Sequence, residues 1–271
     1  MDGTSLVALL AAPFAGSFLG VLIRRLPRGQ PVILSRSACE HCGSVLTARD
    51  LVPFLSYVLA RGRCRYCHVP IGWLHPLVEL LALGVAVIVT CAGYMRFSTP
   101  DPVWIWSGCA LGWCVLALGW IDLKILRLPD ALTLPLLLGG LLSCRLLSPA
   151  AVPAHTVAAA VGYGSFRLIA LMYRRLRGYE GLGMGDAKLL AAAGAWTGLD
   201  SLPFVIAGGA IVTLVATGVA SYTGLFLHRQ MDVRPVHSER GHVTAIRIPF
   251  GPGLGLVTWL VFLFDVGGGA S

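Results

Sequence analysis

Charged residues are scarce in this 271-residue sequence. Only 13% of the residues are Asp, Glu, Lys or Arg, whereas a soluble domain typically carries about a quarter. Together with 56% hydrophobic residues and a mean hydropathy of +0.77, this scarcity excludes an ordinary soluble fold. Long apolar runs in lipid select α-helices, because a helix satisfies its own backbone hydrogen bonds. The sequence therefore predicts an all-α polytopic membrane protein.

The apolar runs indicate about eight transmembrane helices. The sixth and eighth runs are short for a bilayer, so we expect them to be tilted, buried among other helices or partly re-entrant. The eight predicted spans are 5–23, 76–95, 103–121, 129–147, 151–173, 186–200, 202–227 and 252–266.

Basic residues are absent ahead of the first apolar run and gather in alternate loops after it. A cleavable signal peptide carries basic residues before its apolar run, so we expect the first helix to be retained. The 21 Lys and Arg follow the positive-inside rule, so the net charge of +8 reflects topology and not nucleic-acid binding. Both termini are then outside the cytoplasm, and the predicted cytoplasmic loops are 24–75, 122–128, 174–185 and 228–251.

The loop 24–75 is long enough to fold on its own, and it contains the pattern C-x2-C-x21-C-x2-C. Four thiolates at this spacing can surround one tetrahedral zinc, and disulfides are rare in the cytosol. A closed set of four thiolates leaves no open position for chemistry, so the zinc is expected to be structural. His41 and His68 are alternative ligands, although we expect both to be exposed. The predicted ligands are Cys39, Cys42, Cys64 and Cys67, whereas the four other cysteines lie in apolar spans and receive no role.

Acidic residues number only 13, so each one beside a span is a functional candidate. Asp122 ends the third span, where the helix dipole disfavours a carboxylate. Asp186 begins the sixth span, where the dipole favours an anion, and Gly183 and Gly185 permit another helix to approach. Two neighbouring carboxylates share a proton, so that one activates water while the other polarises a carbonyl. We therefore hypothesise an aspartyl hydrolase in which Asp122 is more often protonated and Asp186 more often charged.

Structural roles remain open for both aspartates and for the lysine that follows them. Lys124 and Arg127 can compensate the charge of Asp122, and Asp186 can serve as a helix cap. Lys188 either biases the two aspartates, meets a substrate or is an interfacial lysine whose stem lies along apolar surface.

Two further acids at this face have a simpler explanation. Asp130 directly follows Pro129, and Glu79 lies close behind Pro76, so both are expected near a helix start. The helix dipole favours a negative charge there.

Several motifs resemble the bacterial type IV prepilin peptidases. The segment GMGDAKLLAAAGAW matches the G-x-G-D-x-K pattern of these intramembrane-type aspartic proteases, and WIDLKILRLPD resembles their first aspartate segment. The resemblance runs in order through nearly the whole chain. It departs at Gly20, where the family often has Asn, and in DLVP at 50–53. The remaining matching segments are GSFLGVLIRRLP at 16–27, LARGRCRYC at 59–67, HPLVELL at 75–81 and IPFGPGLGL at 248–256.

The resemblance implies a multi-pass protein of the bacterial inner membrane with periplasmic termini. Its first reaction would be endoproteolysis of the basic leader of a prepilin or pseudopilin after a glycine, in type IV pili or type II secretion. Its second would be methylation of the new N-terminus with S-adenosylmethionine, which the four cysteines favour. The chain has no G-x-G-x-x-G after a strand, so motif chemistry locates no S-adenosylmethionine site. The implied roles are Asp122 and Asp186 as catalytic residues, Gly183, Gly185 and Lys188 as supporting residues, and Glu79 and Glu180 as candidates for cofactor or substrate contact.

The predicted organisation is a first helix at 1–23, a zinc-binding insert at 24–75 and a peptidase core of seven helices at 76–271. Three alternatives stay open. A transporter or scaffold with a zinc-stapled partner-binding domain would leave Asp122 without a purpose, and no inverted repeats are found. A peptidase of the same class with another substrate would not need the insert. A thiol oxidoreductase would need its paired cysteines outside the cytoplasm.

Overall fold

The structure is a computed structural model, and it describes residues 2–32, 36–178, 183–223, 234–238, 241–245 and 248–264. This part of the chain is almost entirely helical, as predicted. One antiparallel hairpin, β1 (Arg234–Ser238) and β2 (Gly241–Ala245), lies in the predicted loop 228–251. The helices are α1 (Gly3–Arg25), α2 (Leu55–Leu59), α3 (Leu74–Arg96), α4 (Pro102–Ile125), α5 (Asp130–Leu147), α6 (Val152–Arg177), α7 (Met184–Thr197), α8 (Leu202–Thr223) and α9 (Gly251–Phe264).

Each of the eight predicted spans falls on one of these helices, with 224–227 and 265–266 lying outside the described residues. Among the described residues, six helices are long and apolar enough to cross a membrane: α1, α3, α4, α5, α6 and α8. The sixth and eighth predicted spans correspond to α7 and α9, which have 14 residues each. At about 1.5 Å per residue, neither matches the thickness of a bilayer core, which agrees with the expectation that these two are atypical.

The third predicted span ends too early. Helix α4 continues to Ile125, and Asp122 lies in its last turn, at the helix C-terminus as expected. The helix stops where Leu126 adopts a positive φ of 52°, a conformation that ends a helical run. Pro129 follows with extended backbone and forms the N-cap of α5. The Asp122 side chain therefore projects from a face of this helix.

The chain divides into two compact units, Met1–Ala117 and Leu118–Ser271. In the first unit α1 packs against α3 at a glycine. A Cβ atom added at Gly16 would stand 2.5 Å from the Glu79 Cα, so only a glycine allows this approach. The Trp113 indole N–H donates to the Ala82 carbonyl at 3.0 Å and holds α4 against α3.

In the second unit α7 is enclosed by α5, α6, α8 and α9. Its small side chains permit close contacts with backbone, which drive helix association in lipid. A Cβ added at Gly194 would lie 2.5 Å from the Ala158 carbonyl oxygen, and one added at Gly162 would lie 2.7 Å from that of Leu190. The Trp196 indole donates to the Leu136 carbonyl at 2.8 Å. Helix α7 is therefore buried among other helices. This was one of the possibilities expected for the short sixth span.

Candidate active site and metal centre

Asp122 is nearly buried, with 5% of its surface exposed, and it projects from the last turn of α4. Its Oδ2 accepts a hydrogen bond of 3.0 Å from the backbone N–H of Gly251, the first residue of α9. A Cβ added at Gly251 would stand 2.8 Å from the same oxygen. The contact between the carboxylate and the helix N-terminus therefore depends on glycine at this position.

Asp186 is the third residue of α7 and is half-buried. Its carboxylate accepts a hydrogen bond from the backbone N–H of Gly183, the N-cap of the helix. This is half of a capping box, in which an acid at the third position satisfies a free N–H at the helix start. Gly183 and Gly185, both singled out in the sequence, thus directly precede a fixed carboxylate.

Leu128 lies between two glycines, Gly185 beside Asp186 and Gly251 beside Asp122. A Cβ added at Gly185 would stand 2.9 Å from the Leu128 Cβ, and one added at Gly251 would stand 3.2 Å from its Cδ2. The Leu128 side chain therefore fits between the start of α7 and the start of α9. The two carboxylates are close enough for the charge of Asp122 to act on Asp186. The structure brings together the two aspartates that the sequence analysis paired.

The helix dipoles at this site differ from those assumed in the sequence analysis. The C-terminus of α4, taken alone, disfavours a negative charge on Asp122. The N-terminus of α9 also points at Asp122, and a helix N-terminus favours an anion. The start of α9 therefore offsets the unfavourable dipole of α4 at Asp122, and the difference between the two carboxylates stays a prediction. Gly251 lies within one of the matching motifs, but it is 129 residues from Asp122, so no local pattern predicts their contact.

Lys188 forms an ion pair with Asp130, with its Nζ 2.5 Å from the Oδ1 of the carboxylate. The pair connects α7 to the first residue of α5. It lies partly in solvent, since the side chains are 24% and 57% exposed, so its contribution to stability is small. Lys188 thus fixes the start of α7 relative to α5, and Asp130 combines this pairing with its predicted place at a helix start.

Glu79 is buried, with 5% of its surface exposed, and its Oε2 accepts the backbone N–H of Phe54 at 2.9 Å. Its carboxylate also accepts a hydrogen bond from the Ser17 hydroxyl. The expectation that Glu79 lies in the first helical turn is wrong, because α3 begins at Leu74. Glu79 holds Phe54 in an unusual backbone conformation with a φ of 56°. Glu180, the other candidate for cofactor contact, lies outside the described residues.

The four cysteines predicted as metal ligands form a cluster whose Sγ atoms all lie within 4.8 Å of one another. The sulfur atoms of Cys39 and Cys67 are 3.9 Å apart. Tetrahedral zinc with Zn–S bonds near 2.3 Å requires sulfur atoms about 3.8 Å apart, so this cluster is compatible with a structural metal. His41 and His68 do not belong to the cluster, and the other cysteines of the described chain form no such group.

Each pair of cysteines closes the same turn. The N–H of Gly43 donates to the Cys39 carbonyl at 2.9 Å, and the N–H of His68 donates to the Cys64 carbonyl at 2.9 Å. Gly43 and His68 follow the second cysteine of their pairs and have positive φ angles of 71° and 56°. Glycine adopts this conformation freely, as predicted for Gly43, and histidine is among the side chains that tolerate it best.

Hydrogen bonds also act on the sulfur of one predicted metal ligand, Cys42. The Ser44 hydroxyl and then the Ser44 backbone hydrogen-bond to the Cys42 sulfur and lower the pKa of this thiol to about 6. A lowered pKa favours the thiolate, which is the form that binds a metal ion.

A cavity of about 860 Å³ lies between the insert and the adjoining ends of α1 and α3. It is lined by cationic groups, by acids and by one aromatic ring of α2. Its volume is within the range of small-molecule binding sites. All of its lining residues belong to the first unit. The lining includes Arg24, Arg36, Glu40, Tyr57, His75 and Glu79.

Two family models match the chain. Residues 10–93 match the bacterial peptidase A24 N-terminal domain, and residues 109–218 match the type IV leader peptidase family. A prepilin leader peptidase/N-methyltransferase of Aeromonas hydrophila is 36% identical over 92% of this chain and 87% of its own length. The chain belongs to the type IV leader peptidase family.

Other relatives of this chain carry the same name as the Aeromonas hydrophila protein. The prepilin leader peptidase/N-methyltransferase of Burkholderia pseudomallei strain 1026b is 39% identical over 78% of this chain and 75% of its own length. That of Pseudomonas aeruginosa strain PAO1 is 30% identical over 96% and 90%. No solved structure matches the chain. The resemblance inferred from the motifs is confirmed, and the multi-pass membrane architecture agrees with the family.

The Gly251→Ala variant tests the fixed position of the Asp122 carboxylate. The added methyl group would displace Oδ2 from the Gly251 N–H, so hydrolysis of a leader peptide should slow by about 10²-fold. The rate of leader hydrolysis by the purified protein in lipid nanodiscs measures the effect. Gly218→Ala, in α8, is the matched control, because nothing lies within 4 Å of a Cβ added there. Equal rates for the two variants would contradict the assignment.

Proposed function

We propose that this protein is an intramembrane aspartic endopeptidase that removes the basic leader of type IV prepilins or pseudopilins after a glycine. We also propose that it methylates the new N-terminal residue with S-adenosylmethionine. The observation that carries the peptidase proposal is the pairing of Asp122 and Asp186 in one unit. The names of the relatives support the substrate class and the second activity.

In the proposed cleavage the two aspartates share one proton and titrate as a unit. The ionised carboxylate takes a proton from water, whose oxygen attacks the scissile carbonyl carbon. The protonated carboxyl donates its proton to the carbonyl oxygen. The C–N bond then breaks, and the leaving amine takes up a proton. Gly251 and Gly183 hold the two carboxylates in place through backbone N–H groups, so the reacting oxygens need little reorganisation.

The glycines beside the dyad also have a role toward the substrate. Gly183 is exposed and Gly185 is half-buried, and neither carries a side chain that would cover the backbone beside Asp186. An extended substrate segment can therefore approach the dyad closely. Lys188 takes a supporting role by holding α7 against Asp130, not by contacting the dyad.

The proposed topology places the dyad where such a substrate can reach it. Basic loops define the cytoplasmic face under the positive-inside rule, with periplasmic termini and a cytoplasmic insert at 24–75. Asp122 and Asp186 adjoin the basic loops 122–128 and 174–185. A prepilin, whose basic leader precedes a hydrophobic helix, would present its cleavage site at the same membrane face.

The insert carries the proposed cofactors, zinc in the cysteine cluster and S-adenosylmethionine in the adjoining cavity. S-adenosylmethionine supplies an electrophilic methyl group to the amine. Its carboxylate matches the guanidinium of Arg24 or Arg36, its ammonium matches an acid such as Glu40, and its adenine matches the ring of Tyr57. The first helix (1–23) and the insert would thus serve methylation, and the core (76–271) would serve cleavage.

A transporter or scaffold is the alternative from another class. It would account for the helices and the cysteine cluster, but it has no use for two aspartates fixed by backbone donors from different helices. Such intramembrane acids are costly and usually functional. The dyad therefore favours the peptidase.

The dyad is tested with Asp122→Asn and Asp186→Asn in full-length protein supplied with a synthetic prepilin and S-adenosylmethionine. Each variant should lower the cleavage rate by at least about 10⁴-fold, since an amide cannot exchange the shared proton. Mass spectrometry reads both activities, because cleavage removes the leader and methylation adds the mass of one methylene. Asp200→Asn, at an exposed position after α7, is the control and should still cleave. Normal cleavage by either dyad variant would assign that aspartate a structural role.

The metal is tested by elemental analysis of the purified protein, which should contain one zinc ion per chain. Cys64→Ser should lose the zinc and expose the insert to limited proteolysis, because metal binding supplies folding free energy. Cys91→Ser is the control, because Cys91 lies outside the cluster and should leave the zinc in place. Wild-type protein without zinc after growth in zinc-replete medium would overturn this proposal.

The cavity is tested by calorimetric titration of full-length protein in nanodiscs with S-adenosylhomocysteine. Tyr57→Leu should weaken binding about tenfold, because a planar ring no longer contacts the adenine. Val58→Ala is the matched control on the same helix, since Val58 does not line the cavity. If both variants bind like the wild type, the cofactor binds elsewhere.

A further inference from the structure

Four large apolar side chains in the described part of the insert are more than half exposed. Leu55, Val58 and Leu59 of α2 are 55%, 68% and 68% exposed, and Trp73 is 77% exposed. We call these four residues the interfacial cluster. Leu55, Val58 and Leu59 lie on one face of α2 by their helical spacing, and an exposed apolar patch of this kind marks a site of interaction.

The structure holds the interfacial cluster at the level where α3 begins. Phe54, directly before α2, donates its N–H to Glu79 in the second turn of α3. The ring of Tyr57 packs on that of Trp73, with centroids 5.8 Å apart, and Trp73 is the N-cap of α3. Because α3 is long and apolar enough to cross the membrane, its first two turns lie at the membrane boundary. Helix α2 is therefore tied to the start of α3 through the residue that precedes it, Phe54, and through its central residue, Tyr57.

Basic residues flank the interfacial cluster. Arg61, Arg63 and Arg65 follow α2, and Arg49 precedes it. The stretch 48–73 contains one acid, Asp50, which pairs with Arg65 at 3.3 Å. Apolar residues next to arginines are typical of segments that lie in an anionic lipid interface, where tryptophan is also enriched.

We propose that the interfacial cluster inserts into the boundary between headgroups and acyl chains of the cytoplasmic leaflet, with its arginines on anionic lipid headgroups. The insert then rests on the bilayer as well as being tethered to it by α1 and α3. The hydrophobic helix of a substrate is the competing occupant. Its basic leader would approach a stretch of chain in which arginines outnumber acids, and like charges disfavour that encounter. The proposal concerns lipid and does not depend on the peptidase or methyltransferase assignment.

Photo-cross-linking of the full-length protein tests this proposal. Benzoylphenylalanine replaces Val58 in one variant, and adducts are identified by mass spectrometry in nanodiscs of phosphatidylglycerol. Leu10, an exposed residue of α1, is the position that must react with lipid, and Ala48 is an exposed position of the insert outside the cluster. Cleavage of prepilin by each labelled variant serves as the check on folding.

The expected result is a lipid adduct at position 58 at least about fivefold more abundant than at position 48, and lower in phosphatidylcholine. Equal lipid adducts at positions 48 and 58 would overturn the proposal. So would a yield at position 58 that does not depend on lipid charge. Adducts at position 58 with added prepilin, in place of lipid, would instead assign the surface to the substrate.

Discussion

The hydrogen bond from the Gly251 N–H to the Asp122 carboxylate is the contact on which the candidate active site depends. It joins the last turn of α4 to the first residue of α9 across 129 residues of sequence. A buried carboxylate must receive donors, and a helix N-terminus offers N–H groups that its own helix cannot use. Because no Cβ fits between these groups, the same position also sets the distance between the two helices.

Helix α7 applies the same principle to the second aspartate. Its start supplies the Gly183 N–H to Asp186, while its length is enclosed by four other helices. A 14-residue helix is too short to need a lipid-facing side, and its alanines and Gly194 let neighbouring backbones approach directly. Close packing therefore makes α7 rigid, and the Lys188–Asp130 pair adds a polar tie at its exposed end. A carboxylate on such a helix is positioned by the whole unit and not by its own loop.

Local pattern was enough to predict the helices and the metal cluster, because hydropathy and cysteine spacing are properties of short segments. The same holds for Gly43, where a turn after a C-x2-C pair requires a positive φ. The partners of the carboxylates were beyond such reasoning. Gly251 and Leu128 act through contacts between helices that no periodicity encodes, and the end of α4 depends on the conformation of Leu126. The second dipole at Asp122 likewise comes from a helix distant in sequence, α9.

Asp122 and Glu79 show why burial does not by itself identify a catalytic acid. Each is 5% exposed, and each accepts a backbone N–H from a distant residue, Gly251 or Phe54. The difference lies in what stands opposite. Asp122 lies near a second carboxylate, that of Asp186, whereas Glu79 receives hydrogen bonds from Ser17 and Phe54 that bind α1 and the insert to α3. Two neighbouring carboxyl groups can share a proton, as the proposed hydrolysis requires, whereas the hydrogen bonds of Glu79 hold the insert in place.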